Sequence, residues 1–256
     1  MQRWDNDPLG STPRASRETY LSLHDQVRGA TFPEIDELEK SLGYALDSDW
    51  FENLALHTQV VVKDSDLNYQ HGRILYSVLR DYLDRYKPQA VRILETGTAR
   101  GFSSLCMARA ISDSGQGGSI VSMDVLPHTK PIYWNCIDDC DGRKTRQALL
   151  SPWRELLDLI VFIQGDTSEV LGRLAMERVN FAFLDARHTY EMVMDEARYV
   201  MERQQKGDII VFDDVTEALF PGVVAAVDEI GCRYPYSIQR ITLTEQRGYA
   251  IARRLD

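Results

Sequence analysis

Two textures divide the chain. Over residues 16–90 apolar side chains recur every three or four positions, the spacing of amphipathic helices. SRETYLSLHDQV and PEIDELEKSLGYAL both carry it, and Pro33 stands where a first helical turn accepts proline. DSDWFENLALHTQ predicts a further helix opened by Asp47 or Ser48. In HGRILYSVLRDYLDRY, Ile74, Leu75, Val78, Leu79, Tyr82 and Leu83 fall on one stripe. The region predicts a helical cap, preceded by a polar, flexible N-terminus over residues 1–15.

From Val91 the period shortens. VRILE, SIVSMD, LIVFIQGD, NFAFLD and GDIIVFDD are continuous apolar runs, alternating with helical patterns such as SSLCMARAI, SEVLGRLAM and EMVMDEARYVMERQ. Runs of this kind belong to strands covered on both faces. Their alternation with helices predicts an α/β fold with a doubly wound, mostly parallel sheet over residues 91–256. The tail differs: SIQRITLT and GYAIARRL are joined only by EQR and predict a closing antiparallel hairpin, making seven strands.

Charge and composition narrow the function. With 29 basic and 39 acidic side chains the net charge is −10, which argues against a nucleic-acid partner. No apolar stretch is long enough to span a bilayer, and the first twenty residues lack a hydrophobic signal core. Four cysteines are too few for a disulfide framework in 256 residues, so a cytoplasmic location is expected.

In open α/β sheets ligands bind beyond the carboxyl ends of the strands, so the residues that close each strand are the candidates. The first strand ends in Glu95-Thr96-Gly97-Thr98-Ala99-Arg100-Gly101-Phe102-Ser103. Its glycines permit a tight turn, and the helix that follows offers free N–H groups to a carboxylate or phosphate. The spacing is not that of the dinucleotide fingerprint. Asp124 closes the second strand, where an acid can bind ribose hydroxyls or merely face solvent. Asp166 and Thr167 close the third, as a ligand contact or a helix cap. Asp185 closes the fourth and Asp213-Asp214 the fifth. Neighbouring strands lie roughly 4.8 Å apart, and three carboxylates so close call for a cation such as Mg²⁺. His188 follows Asp185 by three residues, as a general base, a substrate contact, a ligand or a structural residue. Thr189 is placed to cap the next helix. The insertion from Leu126 to Leu159 holds Cys136-x-x-x-Cys140, short of a zinc set. It also holds Tyr133, Trp134 and Trp153, which either line an acceptor pocket or anchor the loop.

These residues together resemble the class I S-adenosylmethionine-dependent methyltransferases. ILETGTARGFSS is similar to the family's first motif in the form used by metal-dependent O-methyltransferases of the catechol and macrocin types. FLDARHTYE and GDIIVFDDV resemble those families' metal-binding motifs. The resemblance implies that Glu95, Gly97, Thr98 and Gly101 surround the methionine part of the cofactor and that Ser103 holds its carboxylate. It implies Asp124 on the ribose, Asp166 with Thr167 at the adenine, and Asp185, Asp213 and Asp214 on Mg²⁺. Two positions depart from the catechol pattern: His188 replaces a lysine and Asp214 an asparagine.

The implied activity is transfer of a methyl group to a hydroxyl of a small molecule, on a sugar or vicinal diol rather than a catechol, with Asp185 and His188 at the chemistry. Tyr69, Gln70 and His71 are expected to close over the cofactor, and the helical cap is the expected surface for a homodimer. An aminopropyltransferase, a nicotinamide dehydrogenase, a hydroxylase-like activity and a catalytically silent cofactor-binding module are the rivals.

Overall fold

The computed structural model describes residues 7–256, so residues 1–6 of the polar N-terminus lie outside the described residues. Residues 7–15 form no helix or strand and are tied to the insertion by an Asp7–Arg143 ion pair of 2.7 Å. Four helices follow: α1 (Arg17–Val27), α2 (Pro33–Leu42), α3 (Ser48–Thr58) and α4 (His71–Tyr86). Their starts follow local chemistry. Ser16 accepts from the Thr19 amide, Pro33 opens α2, and Asp47 rather than Ser48 caps α3 through the Trp50 amide at 2.9 Å. The stripe expected on α4 is buried along its whole length, from Ile74 to Leu83.

The α/β half opens with β1 (Ala90–Thr96), α5 (Phe102–Ser114) and β2 (Gly117–Asp124). The insertion contains only short helices, including α6 (Arg146–Leu149) and α7 (Arg154–Leu157), before β3 (Ile160–Gln164) and α8 (Thr167–Val170). Then come β4 (Phe181–Leu184), α9 (Tyr190–Met201), β5 (Ile209–Phe212) and α10 (Pro221–Arg233). β6 (Tyr236–Thr244) and β7 (Arg247–Arg254) finish the chain. The helix expected over 168–176 is shorter: α8 passes into one 3₁₀ turn, Leu171–Arg173, at Gly172, a poor helix former. Thr189 does occupy the cap position of α9, but its side chain makes no capping bond.

The seven strands run in the order β3-β2-β1-β4-β5-β7-β6, the first five parallel and β7 antiparallel to both its neighbours. Alternate side chains feed two apolar layers. Ile93, Phe183 and Val211 point toward α4 and α5, whereas Leu94, Leu184 and Phe212 point toward α9 and α10. Helices thus cover both faces, which is why the strand sequences are apolar throughout. The cap helix α4 shares its apolar layer with the sheet. Arg73 on α4 reaches back to Asp36 and Glu39 of α2.

Register aligns the strand ends. Thr96 pairs with Met123 on one side and Leu184 on the other, Asp124 pairs with Gln164, and Leu184 pairs with Phe212. Gly97, Gly165, Asp185 and Asp213 each follow directly, so they stand with Asp124 in one row on the carboxyl edge. Gly97 is at φ +88°, and a Cβ there would lie 2.4 Å from the Asp185 carbonyl oxygen. Any side chain would therefore force β1 and β4 apart. The Gly97→Ala variant is expected to lose on the order of 2–3 kcal/mol of stability, read as a lower urea midpoint with an unchanged slope.

Candidate active site

A cleft of about 860 Å³ runs along this row, walled by Gly97, Asp124, Asp166, Thr167, Asp185 and Arg187, among others. That is the size range of small-molecule sites. Of the residues expected at the cofactor, Glu95, Thr98, Gly101 and Ser103 are not on this wall. Ser103, expected on the ligand, turns its hydroxyl inward to Glu95. Glu95 is fully buried and also accepts from Ser104 and Ser122. Burial pushes the Glu95 carboxyl up, against the three hydroxyls and Arg146, which favour the charged form. Glu95 thus clamps β1, β2 and α5 together behind the turn.

The turn itself is held from both sides. Asp124 accepts from the Ala99 amide at 2.6 Å and the Leu126 amide at 2.7 Å. Ala99, at φ +45°, has its carbonyl oxygen held by Arg146 Nε at 3.0 Å. Arg100 Nε donates to the Trp134 carbonyl at 2.5 Å. Gly101, in the left-handed region, starts α5 with no side-chain cap, which leaves backbone N–H groups for an anionic ligand group. Such a cradle can take a carboxylate or phosphate, and Asp124 holds the turn beside it.

Asp166 is the cap of α8: it accepts from the Ser168 amide and hydroxyl and pairs with Arg187. The Ser168 bonds, followed by Arg187, hold its carboxyl below the usual range. Thr167 donates to the buried Glu196 at 2.7 Å. In the insertion, Trp134 and Trp153 are buried and Trp134 Nε1 donates to the Lys144 carbonyl at 2.8 Å. They anchor the loop instead of lining a pocket. Cys136 is buried and Cys140 exposed, and among the described residues neither belongs to a cluster with metal-binding geometry.

The carboxylates do converge. Donor atoms of Asp185, His188 and Asp214 lie within 4.8 Å of one another. Asp213 stands beside them but turns one oxygen to the Asp214 amide at 2.7 Å and the other toward His71 Nδ1 at 4.0 Å. Asp214, at φ +57°, has His188 Nε2 at 3.0 Å from Oδ2 and Arg247 Nη1 at 2.8 Å from Oδ1. His188 stacks on Phe220, ring centres 4.4 Å apart. Burial, then Asp213 and Asp214, drive the Asp185 carboxyl well up. Burial, then Asp214, pushes Asp213 up to about 7. Two carboxylates and an imidazole within reach of one point form a donor set that fits a divalent cation.

His71 faces this corner from α4, stacked on Phe183 and edge-on to Phe102. Burial, with Arg247 adding to it, lowers its pKa to about 3, so it is neutral at physiological pH. Tyr69 does not roof the cleft: it is buried against Phe51 and Phe102 and donates to Glu52 at 2.7 Å. A second cavity of about 270 Å³ lies on the far side, lined by Phe32, Asn68, Asp214, Phe220, Gln246 and Arg247, among others. Asp185 borders the large cleft and Asp214 the small one, so the acidic corner separates two chambers. Arg146 and Arg247 were not evident from sequence, because each meets the site from an element distant in the chain; Arg187 lies beside His188 in the loop already singled out, but its pairing with Asp166 carries no local signal.

Residues 94–215 match the family model described as a methyltransferase domain. Over that stretch, which is just under half of the chain, the sequence is similar to a methyltransferase domain. Solved structures share the fold. TomG, an O-methyltransferase of Streptomyces achromogenes, is 18% identical with a TM-score of 0.58, covering 83% of this chain and 92% of its own. An O-methyltransferase of Bacillus cereus is 17% identical with a TM-score of 0.57, over 93% and 99%. The O-methyltransferase NovP is 15% identical with a TM-score of 0.56, over 94% and 100%. No curated protein sequence matches the chain.

The clamp at Glu95 carries a pH signature. A carboxyl whose pKa is raised by folding contributes stability below its unfolded value of about 4.3 and loses it as pH rises through the raised value. Glu95→Gln removes that loss. Its urea midpoint is expected to gain on the wild type as pH rises above the unfolded value; parallel profiles would show that folding does not raise the Glu95 carboxyl.

Proposed function

We propose that the chain is an S-adenosylmethionine- and divalent-cation-dependent O-methyltransferase acting on a hydroxyl of a small molecule. The observation that supports this best is the acidic corner between two chambers, one sized for the cofactor and one for an acceptor. TomG was solved with S-adenosylmethionine and the Bacillus cereus enzyme with its demethylated product, and the same cofactor suits the cradle described here.

S-adenosylmethionine supplies an electrophilic methyl on a sulfonium. A divalent cation, Mg²⁺ among the hard ions, supplies a Lewis acid that lowers the pKa of an acceptor hydroxyl. Asp185 and Asp214 would hold it, with Asp213 adding negative charge from behind. His188 is the proton acceptor through Nδ1: its side chain is 40% exposed, its ring is fixed on Phe220, and Asp214, accepting from Nε2, stabilises the imidazolium. The acceptor oxygen forms the new bond to the methyl carbon as the S–CH₃ bond breaks. Neutral His71, Phe102 and Phe183 exclude water from the corner without adding charge.

Asn68, Gln246 and Arg247 give the small cavity hydrogen-bonding walls, which suits a sugar or vicinal diol of a natural product or polysaccharide. Phe32 and Phe220 on the same wall favour the second reading, a phenolic ring. Cytoplasmic residence and pairing of two chains through the helical cap complete the proposal.

Calorimetry with S-adenosylmethionine and S-adenosylhomocysteine tests the cofactor. Binding is expected in the wild type and at least tenfold weaker in Asp124→Asn; failure of the folded protein to bind either form would sink the assignment. Turnover on a panel of sugars, diols and catechols, followed as S-adenosylhomocysteine release, is expected to stop in EDTA and resume with Mg²⁺. His188→Gln is expected to lower kcat by roughly 10²-fold or more with cation affinity retained; lost affinity would make His188 a ligand instead.

A further inference from the structure

The carboxylate corner already contains a permanent cation. Arg247 is the first residue of β7, which starts at the acidic edge and runs back along β5 away from it. Its guanidinium, 20% exposed, donates to Asp214 Oδ1 at 2.8 Å. His188 Nε2 stands 3.0 Å from the other Asp214 oxygen, so both oxygens are engaged. Asp185 and Asp213 feel the same positive charge. The backbone fixes this placement. The Val215 amide donates to the Gly248 carbonyl at 2.9 Å, and a Cβ on Gly248 would lie 2.4 Å from the Val215 carbonyl oxygen. The segment bearing Asp214 and the start of β7 are therefore locked side by side, and Arg247 cannot drift away from the acids.

We propose that Arg247 is a resident counter-ion that competes with the divalent cation for Asp214 and so sets how tightly this chain binds it. The inference rests on the cation reading of the corner given above. Guanidinium does not deprotonate in proteins, so the competition persists at every working pH. A cation arriving at Asp214 must share an oxygen already neutralised, or displace the guanidinium and accept its repulsion nearby. The small cavity, which Arg247 also lines, gives the displaced side chain room. The same charge relieves the repulsion among Asp185, Asp213 and Asp214 when no divalent ion is bound.

The test measures Mn²⁺ binding by titration calorimetry and electron paramagnetic resonance, with S-adenosylhomocysteine present and at fixed neutral pH. Arg247→Gln is expected to bind Mn²⁺ at least tenfold more tightly than the wild type, and Arg247→Lys to fall between them. Asp214→Asn is expected to weaken binding at least tenfold. Melting adds a readout independent of turnover: without metal, Arg247→Gln melts below the wild type, and Mn²⁺ raises its Tm by more. Equal or weaker Mn²⁺ binding by folded Arg247→Gln, with Asp214→Asn still impaired, overturns the competition and leaves the cation reading standing. If no variant binds Mn²⁺ while S-adenosylhomocysteine still binds, both fall together.

Discussion

Parallel strands deliver their carboxyl ends to a single edge, and in this chain two adjacent ends carry three aspartates. Strands in a sheet are held roughly 4.8 Å apart, so the hydrogen-bonded ladder itself forces Asp185 and Asp213 into proximity. The neighbouring features answer to that crowding. Gly97 lets β1 close against the Asp185 backbone. His71 packs against the corner as a neutral ring, and Arg247 enters from the far side as the compensating charge. The helical cap is drawn into the same apolar layer as the sheet, which keeps solvent from dissipating the charge.

The parts legible in sequence are those governed by local, periodic rules. The stripe from Ile74 to Leu83 and the apolar strand runs reflect burial on one face or two, and each strand's closing acid follows from where its run stops. Orientation was not legible in the same way. Ser103 is the second residue of α5, where its hydroxyl meets Glu95. Asp213 and Asp214 are adjacent in sequence, yet the left-handed backbone at Asp214 sends their carboxylates to different partners. Arg247 joins the corner because β7 inserts between β5 and β6, a pairing that no local pattern announces. The tryptophans of the insertion looked equally suited to a pocket or an anchor, and only their burial decides between them.

Division into two chambers gives the corner its direction. A group held in the large cleft approaches Asp185, and a group in the small cavity approaches Asp214. Reactants kept apart in this way meet only at the acids, which suits a displacement that needs its partners in line.

The turn at Ala99 is grasped by Asp124 through its amide and by Arg146 through its carbonyl, while Arg100 reaches the Trp134 backbone. Arg146 and Trp134 both belong to the insertion. On the proposed reading, grafting a foreign insertion to favour a new acceptor would therefore also loosen the floor beneath the cofactor. Transplants that keep Arg146 and the backbone at Trp134 would preserve that floor, so the unit of exchange is the insertion minus its own foundations.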